Sequence, residues 1–481
     1  MSQRLNVARL APALLLLPVL AAAGTAGAAG RGQANPATAP VFRQYHGPSS
    51  PLSVRGQTTG ADAAGEPSLG YDARTGSLLF MANKNTYRVS GFDPAHADKA
   101  TWTDVTDPVE GAQTSDPILW TDSTTGRTFV NQLELQGGSL QAYTDDAGKT
   151  YTHSTMGGSI GLAFDHQSVA TGRKGEGGPY PAPVGYPNYV YYCTNDLYAA
   201  DCAVSLDGGL NFLVANQVYA SDLATGTCRP LFGHVKTDPR DGTVYLAPEA
   251  CNGRAAVFVS KDNTFSWTST VLTGAKIGDS GHPSLAVGRQ DGAVYLAYGS
   301  ADGYHSQTGR THVSVSFDHG SSWVRDTALG ADLGLVTSRF PVVVAGDRGR
   351  AAVAFLGSKT DGDPNETGFT GALNARTPSG HKPYAGVWDL YVSFTADGGR
   401  TWRTTDATPH DPVQVGPVCT IGTTCTDGRN LLDFNDMVLD GQGRVAIAMA
   451  DGYLSKGDTY LKGLAKATIV RQVRGPSLYA R

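Results

Sequence analysis

Seven ionisable residues recur at matching places along the chain: Glu66, Asp116, His166, His234, His282, Arg339 and Asp436. Each stands just before, or within the first turn of, a short apolar run. One such residue alone would be read as satisfying loop backbone. Seven at equivalent positions of a repeated unit would line one mouth if the units were arranged around an axis. A concave site with convergent titratable groups is the natural place for chemistry. Three chemistries suit the set. Glu66 and Asp116 offer the two carboxyl groups that acid–base cleavage of an acetal requires. His166, His234 or His282 could instead abstract a carbon-bound proton while Arg339 neutralises an adjacent carboxylate, as elimination demands. The histidines with a carboxylate could also hold a divalent metal, although their spacing is too long to be diagnostic. We assign Glu66, Asp116, His166 and His282 as catalytic and His234, Arg339, Asp436 and Arg429 as substrate-binding, with no metal ligand.

The elements that must position these residues are repeats. An apolar strand that follows Pro or a polar residue, an Asp/Gly turn and a second apolar strand recur seven times. Glu66–Asp72 leads to Ser77–Phe80, and His282–Val287 leads through Gly292 to Val294–Leu296. Other copies start at Asp116, His166, Gly233, Phe340 and Asn435. Two short strands joined by a tight Asp/Gly turn are a hairpin signature, and units of this length repeated along a chain indicate a radial array. A second element follows most copies and reads Ser/Thr-x-Asp-x-Gly-x-Thr/Ser-aromatic. Thr144–Tyr151, Ser205–Phe212, Ser316–Trp323 and Thr395–Trp402 are clear examples. Ser260–Trp267 lacks the glycine, and Asp93–Trp102 reads as a distorted relic. In such a turn the Asp accepts backbone N–H groups, the Gly takes a positive φ and the aromatic tucks beneath the hairpin.

This octapeptide resembles the Asp box, or bacterial neuraminidase repeat, of sialidase-like propellers, where it joins the third and fourth strands of a blade. The resemblance spans nearly the whole mature chain. It implies an all-β propeller of four-stranded blades and a carbohydrate-active enzyme. The hairpin count gives seven blades, at about 64–104, 114–156, 164–220, 230–274, 280–328, 338–406 and 432–474; six remain if one hairpin is a decoration. The seventh has no Asp box, and Pro40–Tyr45 could supply its outer strand, which would protect an open edge. A disordered tail is the other reading of that segment. Sialidases clamp a carboxylate with three arginines. Here only Arg339 and Arg429 stand where they could reach a central pocket, and Ser338-Arg339-Phe340-Pro341 is a faint echo of the sialidase arginine motif.

The remaining sequence bounds the setting. Arg4 and Arg9, the apolar run Leu10–Ala23 and the small residues that follow read as a secretory signal over 1–29. Residues 30–55 form a lead-in and 56–481 a single propeller domain. Removing the signal takes two arginines and no acid, so the formal charge of −5 becomes more negative. An acidic chain with no basic stripe or long apolar run argues against nucleic-acid and membrane partners. The expected partner is a glycan, met by a secreted monomer. Six cysteines in an exported chain imply disulfides, and nearest neighbours pair Cys193 with Cys202, Cys228 with Cys251 and Cys419 with Cys425. No cofactor is required, although Asp361-Gly362-Asp363 and Asp451-Gly452 could bind calcium. The stretch Gly357–Val387 reads as an insertion framing a binding face. The leading expectation is a hydrolase removing an anionic or terminal sugar. The alternatives are a histidine-based polysaccharide lyase, or a non-catalytic propeller with Tyr186, Tyr189, Tyr191 and Tyr192 as a sugar-stacking surface.

Overall fold

The structure is a computed structural model that describes residues 39–49, 60–109, 115–134, 138–154, 165–196, 198–221, 227–278, 281–300, 309–370, 377–425, 427–452 and 465–480. Residues 1–29, read above as a secretory signal, and residues 30–38 and 50–55 of the lead-in lie outside them. Among the described residues, Phe369–Thr370 pairs with Thr377–Pro378 in a two-stranded ribbon, and the chain forms seven antiparallel sheets built on four strands each, with a fifth short strand added to the sixth. Their innermost strands are Ser68–Asp72, Ser115–Thr121, Asp165–Gly172, Lys236–Thr237, Ser284–Val287, Thr337–Ala345 and Asp436–Leu439. Each touches its neighbours and the last touches the first, closing a seven-bladed propeller. Second strands such as Ser77–Ala82, Ala351–Ser358 and Val445–Asp451 are buried throughout. Blades stacked face to face bury both sides of a strand, which explains their continuous apolar sequence. No helix among the described residues is long and apolar enough to cross a membrane.

Ring closure uses both ends of the chain. Val41–His46 pairs antiparallel with Lys466–Arg474, so the N-terminal segment is the outer strand of the seventh blade. Tyr45 is fully buried there and its hydroxyl donates to the Asp93 carbonyl at 2.8 Å. His46, the last residue of the strand, lies 3.9 Å from the buried carboxylate of Asp451 and 3.7 Å from Asp411.

The blades are stitched together by polar side chains at one register. The hydroxyls of Ser68, Ser168 and Ser284 accept the N–H groups of Leu119, Val235 and Val343 on the next inner strand. At the seventh-to-first joint the same job falls to Asp436. Its carboxylate accepts the Leu69 N–H at 2.9 Å, the Ser68 hydroxyl at 3.2 Å and its neighbour Met437's N–H at 2.8 Å.

The octapeptides form the expected turns. Asp146 accepts the N–H groups of Lys149 and Thr150, and Thr144 Oγ1 accepts that of Gly148. Asp207, Asp318 and Asp397 do the same with Asn211, Ser322 and Thr401. The copy without glycine keeps the pattern, because Thr264 itself takes φ +72° and donates its N–H to Ser260 Oγ. A β-branched residue is strained there, and the surrounding hydrogen bonds hold it.

All three expected disulfides are present. Cys193 and Cys202 face each other across adjacent strands. Replacing both by alanine is expected to cost about 2–3 kcal/mol through the loss of loop-closure constraint, read as a lower denaturation midpoint.

Candidate active site

The serine register shows which residues reach the axis. Two positions before Ser68, Ser168, Ser284 and Asp436 the chain carries Glu66, His166, His282 and Phe434. Two positions before the matching Ile118, Lys236 and Val342 of the other three blades it carries Asp116, His234 and Phe340. Their rings meet across the blades. His166 lies 4.1 Å from His282 and 5.7 Å from His234, centroid to centroid, and Phe434 lies within 5.1 Å of both His166 and His234. In the second, third and sixth blades a register shift falls just at this point. There Asp116, His166 and Phe340 take φ of +50°, +58° and +56°, and Glu66 takes +53°. Side-chain-bearing residues avoid this region, and bulges that hold them in it re-aim side chains next to functional sites.

This register revises two of the seven expected ring positions. Asp436 is two residues past the ring, in the stitching layer, and its carboxylate serves backbone amides. Arg339 is one residue before it. It is fully buried in the sixth blade, donating to the Ser338 carbonyl, and its charge is felt at the Tyr384 hydroxyl. The bulge adds a residue that a pattern read from sequence does not see.

Beside the ring runs a row of carboxyl groups in side-chain contact: Asp165 with Asp116, Asp116 with Glu66, and Glu66 with Asp433. Asp433 in turn holds both terminal nitrogens of Arg429. Arg429 and Asp433 arrive on the connection between the sixth and seventh blades. The insertion buttresses that connection: the Pro364 carbonyl accepts the Val418 N–H, and Asn365 accepts that of Thr420. The Cys419–Cys425 bridge and a Gln414–Asn430 hydrogen bond at 3.1 Å shape its course, and the Leu431 carbonyl accepts the Glu66 N–H at 3.3 Å. The insertion therefore acts on the site by holding the segment that carries its ion pair.

The row separates the protonation states of its members. Burial, and then the charges of Asp116 and Asp433, push Glu66 well above the usual carboxylate range. Burial raises Asp116 as well. Burial with the Asp116 and Asp433 charges takes Asp165 up to about 7, although its side chain remains open to solvent at the rim. Burial also acts upward on Asp433, but the Arg429 guanidinium outweighs it and holds that carboxyl below its ordinary value. Burial keeps the imidazoles neutral: His166 and His234 lie well below the usual value and His282 falls to about 4.

Both ring nitrogens of His166, which is 2% exposed, find no hydrogen-bond partner; nor do His282 Nδ1 and His234 Nε2. Each buried group left this way costs about 1–3 kcal/mol, a cost that a folded chain carries where a ligand or water supplies the partner. As for a metal, the three histidines do not bring three ligand atoms within 4.8 Å of one another, the spacing reached by His46, Asp411 and Asp451 and by Asp238, Asp241 and His319. Of the residues considered for calcium, Asp361 and Asp363 accept the N–H groups of Gly362 and Asn365, as aspartates in turns do. Asp451 lies against His46 in the closing blade.

The four tyrosines are packing. Tyr186, Tyr189, Tyr191 and Tyr192 are all buried, and their hydroxyls bond Asp122, the Pro181 carbonyl, Asn263 and Ser139. They present no face to a sugar. Sequence reasoning missed Asp165, Asp433 and Phe434. Asp165 was signalled by its place beside His166, and Asp433 by its spacing of four from Arg429.

A pH dependence of stability follows. A carboxyl whose folded value is raised favours the folded state below its unfolded value, and that advantage is lost as pH climbs through the folded value. Between about pH 4 and pH 7 the contribution of Glu66, Asp116 and Asp165 to stability is expected to fall as they are forced to ionise, while His166, His234 and His282, held neutral in the fold, contribute a rise that ends near their unfolded value. Glu66→Gln is expected to flatten that decline and raise the melting temperature at alkaline pH. An unchanged melting profile would show that Glu66 is not held protonated.

No family model matches the chain, and no curated protein does. Solved structures similar to it include an ulvan lyase bound to its saccharide, at 10% identity over 86% of this chain and 95% of that one, with a TM-score of 0.45. The Penicillium chrysogenum α-L-arabinanase is 12% identical over 90% and 98%, with a TM-score of 0.38. The fucose-specific lectin of Aleuria aurantia is 11% identical over 76% and 99%, with a TM-score of 0.42. Likenesses this distant leave activity to be argued from the residues themselves.

Proposed function

We propose that the protein is a secreted glycoside hydrolase that removes a terminal sugar at the axial mouth of the propeller. The observation that carries this reading is the carboxyl row, whose members are driven to opposite protonation states within one site. Hydrolysis of a glycosidic bond needs one carboxyl that holds its proton near neutrality and another that stays ionised. Asp165, raised to about 7 and open to solvent at the rim, is the proton donor to the leaving oxygen. Asp433, kept ionised by Arg429, supports the developing positive charge or the attacking water. Burial and then the charges of Asp116 and Asp433 keep Asp165 protonated, and the protonated Glu66 bridges Asp116 to Asp433. His166, His234 and His282 supply uncharged nitrogens to sugar hydroxyls, and the buried Phe434 packs against all three rings.

A sialidase-like specificity fits less well, because one arginine serves the row and Asp433 already occupies its fork. The elimination route keeps one supporting observation, the neutral imidazoles. The test is a panel assay of the mature protein on neutral, amino, uronate-containing and sialylated glycans, reading released sugar and unsaturated-uronate absorbance together. Released sugar without new absorbance is expected. New absorbance would transfer the chemistry to the histidines, and binding without product would make the mouth a lectin-like site.

A further inference from the structure

The charge balance of the mouth selects among sugars. Four carboxyl groups, Asp165, Asp116, Glu66 and Asp433, share one guanidinium, Arg429, and its two terminal nitrogens are held by Asp433. The other cations near the axis are turned elsewhere. Lys236 faces the charge of Asp436 in the stitching layer and lies 5.2 Å over the Trp120 ring. Arg339 sits inside the sixth blade on the Ser338 carbonyl. Among the described residues, Arg429 is the one cation in hydrogen-bond contact with the row, and the fully buried Arg339 is held inside its own blade.

A second, independent observation marks the same place as ligand-seeking. His166 is 2% exposed with both ring nitrogens unpartnered, and it packs against His282, which feels the Asp433 and Arg429 charges. A neutral imidazole has one nitrogen that accepts a hydrogen bond. The site is thus rich in acceptors and poor in cationic donors.

We propose that the sugar unit seated in the mouth carries an ammonium group, making the substrate class an amino-sugar glycan, and that anionic sugars are turned away. The inference rests on the reading of the mouth as the glycan site. Carboxyl groups in contact must share protons between them. An ammonium group brings three N–H donors to the row and takes over that work, so the shared protons leave as it binds. A carboxylate would bring no cation to the row and would add one more group competing for its shared protons. Binding should therefore release protons and weaken in high salt.

The experiment is titration calorimetry of the mature protein with three tetrasaccharides: of glucosamine, of N-acetylglucosamine and of galacturonate. It is run near pH 6 in two buffers of different ionisation heat. The glucosamine oligomer should bind at least about tenfold more tightly than its acetylated counterpart, with a buffer-dependent heat that reports proton release, while the galacturonate oligomer gives no saturable heat. Asp165→Asn, at a solvent-open position the fold tolerates, should shrink the glucosamine preference to about threefold or less. Equal affinity for the amino and acetylated oligomers, tighter binding of the galacturonate, or no binding of any of the three would overturn the proposal. Cleavage without an amine preference would overturn this inference and leave the hydrolase reading standing. An amine preference without cleavage of any glycan would do the reverse.

Discussion

Asp165→Asn is expected to lower kcat/KM for glycan cleavage by about 10²–10⁴-fold, the range associated with loss of a positioned general acid. The amide keeps the size of the side chain and cannot deliver a proton. The wild-type pH profile should lose activity as Asp165 ionises near its value of about 7, and should hold its acidic limb to below the ordinary carboxylate range because Arg429 keeps Asp433 ionised. In the variant the limb near 7 should disappear from whatever rate remains. Substrates with an acidic leaving group, which need no protonation, should recover most of the lost rate. A variant that cleaves ordinary glycosides at the wild-type rate would remove Asp165 from the chemistry and return the choice to Glu66 and Asp116.

The second large effect concerns the ring rather than the mouth. Tyr45→Ala is expected to cost about 3–5 kcal/mol, the usual penalty for emptying a buried aromatic site. The side chain is fully buried between the closing strand and Phe92, whose ring centroid is 5.0 Å away in an edge-on arrangement. Tyr45→Phe isolates the hydroxyl and its bond to the Asp93 carbonyl, worth about 1 kcal/mol. Denaturation midpoints check both. If Tyr45→Ala cost less than about 1 kcal/mol, the N-terminal strand would not be part of the folded ring in solution.

The fold was legible because its signals are local. The octapeptide turn is a set of hydrogen bonds each closing over five residues, and a hairpin with a tight turn needs only its own sequence, so the strand pairs could be counted from the sequence. Thr264 shows how far that legibility reaches: the turn survives without its glycine because Ser260 and Asp262 still make their bonds. The closing strand was visible only as an option, since nothing in Val41–His46 states that its partner lies more than four hundred residues away.

The site was half legible for the same reason. Glu66, Asp116, His166, His234 and His282 were found because each stands at the entry to the inner strand of its own blade. Arg339 and Asp436 were misplaced by one and two residues because the bulge and the Asp-for-Ser exchange are visible only in three dimensions. The ion pair of Arg429 with Asp433 and the contact of Glu66 with Asp433 join segments with no periodic relation. Burial and the meeting of like charges, which set the protonation states of the row, belong to no single segment of sequence.

The most direct test of the account is a crystal structure of the Asp165→Asn protein with an uncleaved oligosaccharide from the panel. The account predicts a sugar ring beside the carboxyl row with its glycosidic oxygen within hydrogen-bonding reach of the side chain at position 165 and its anomeric carbon facing Asp433. A saccharide bound instead along the outer strands of the blades, with the axial mouth holding water alone, would contradict it.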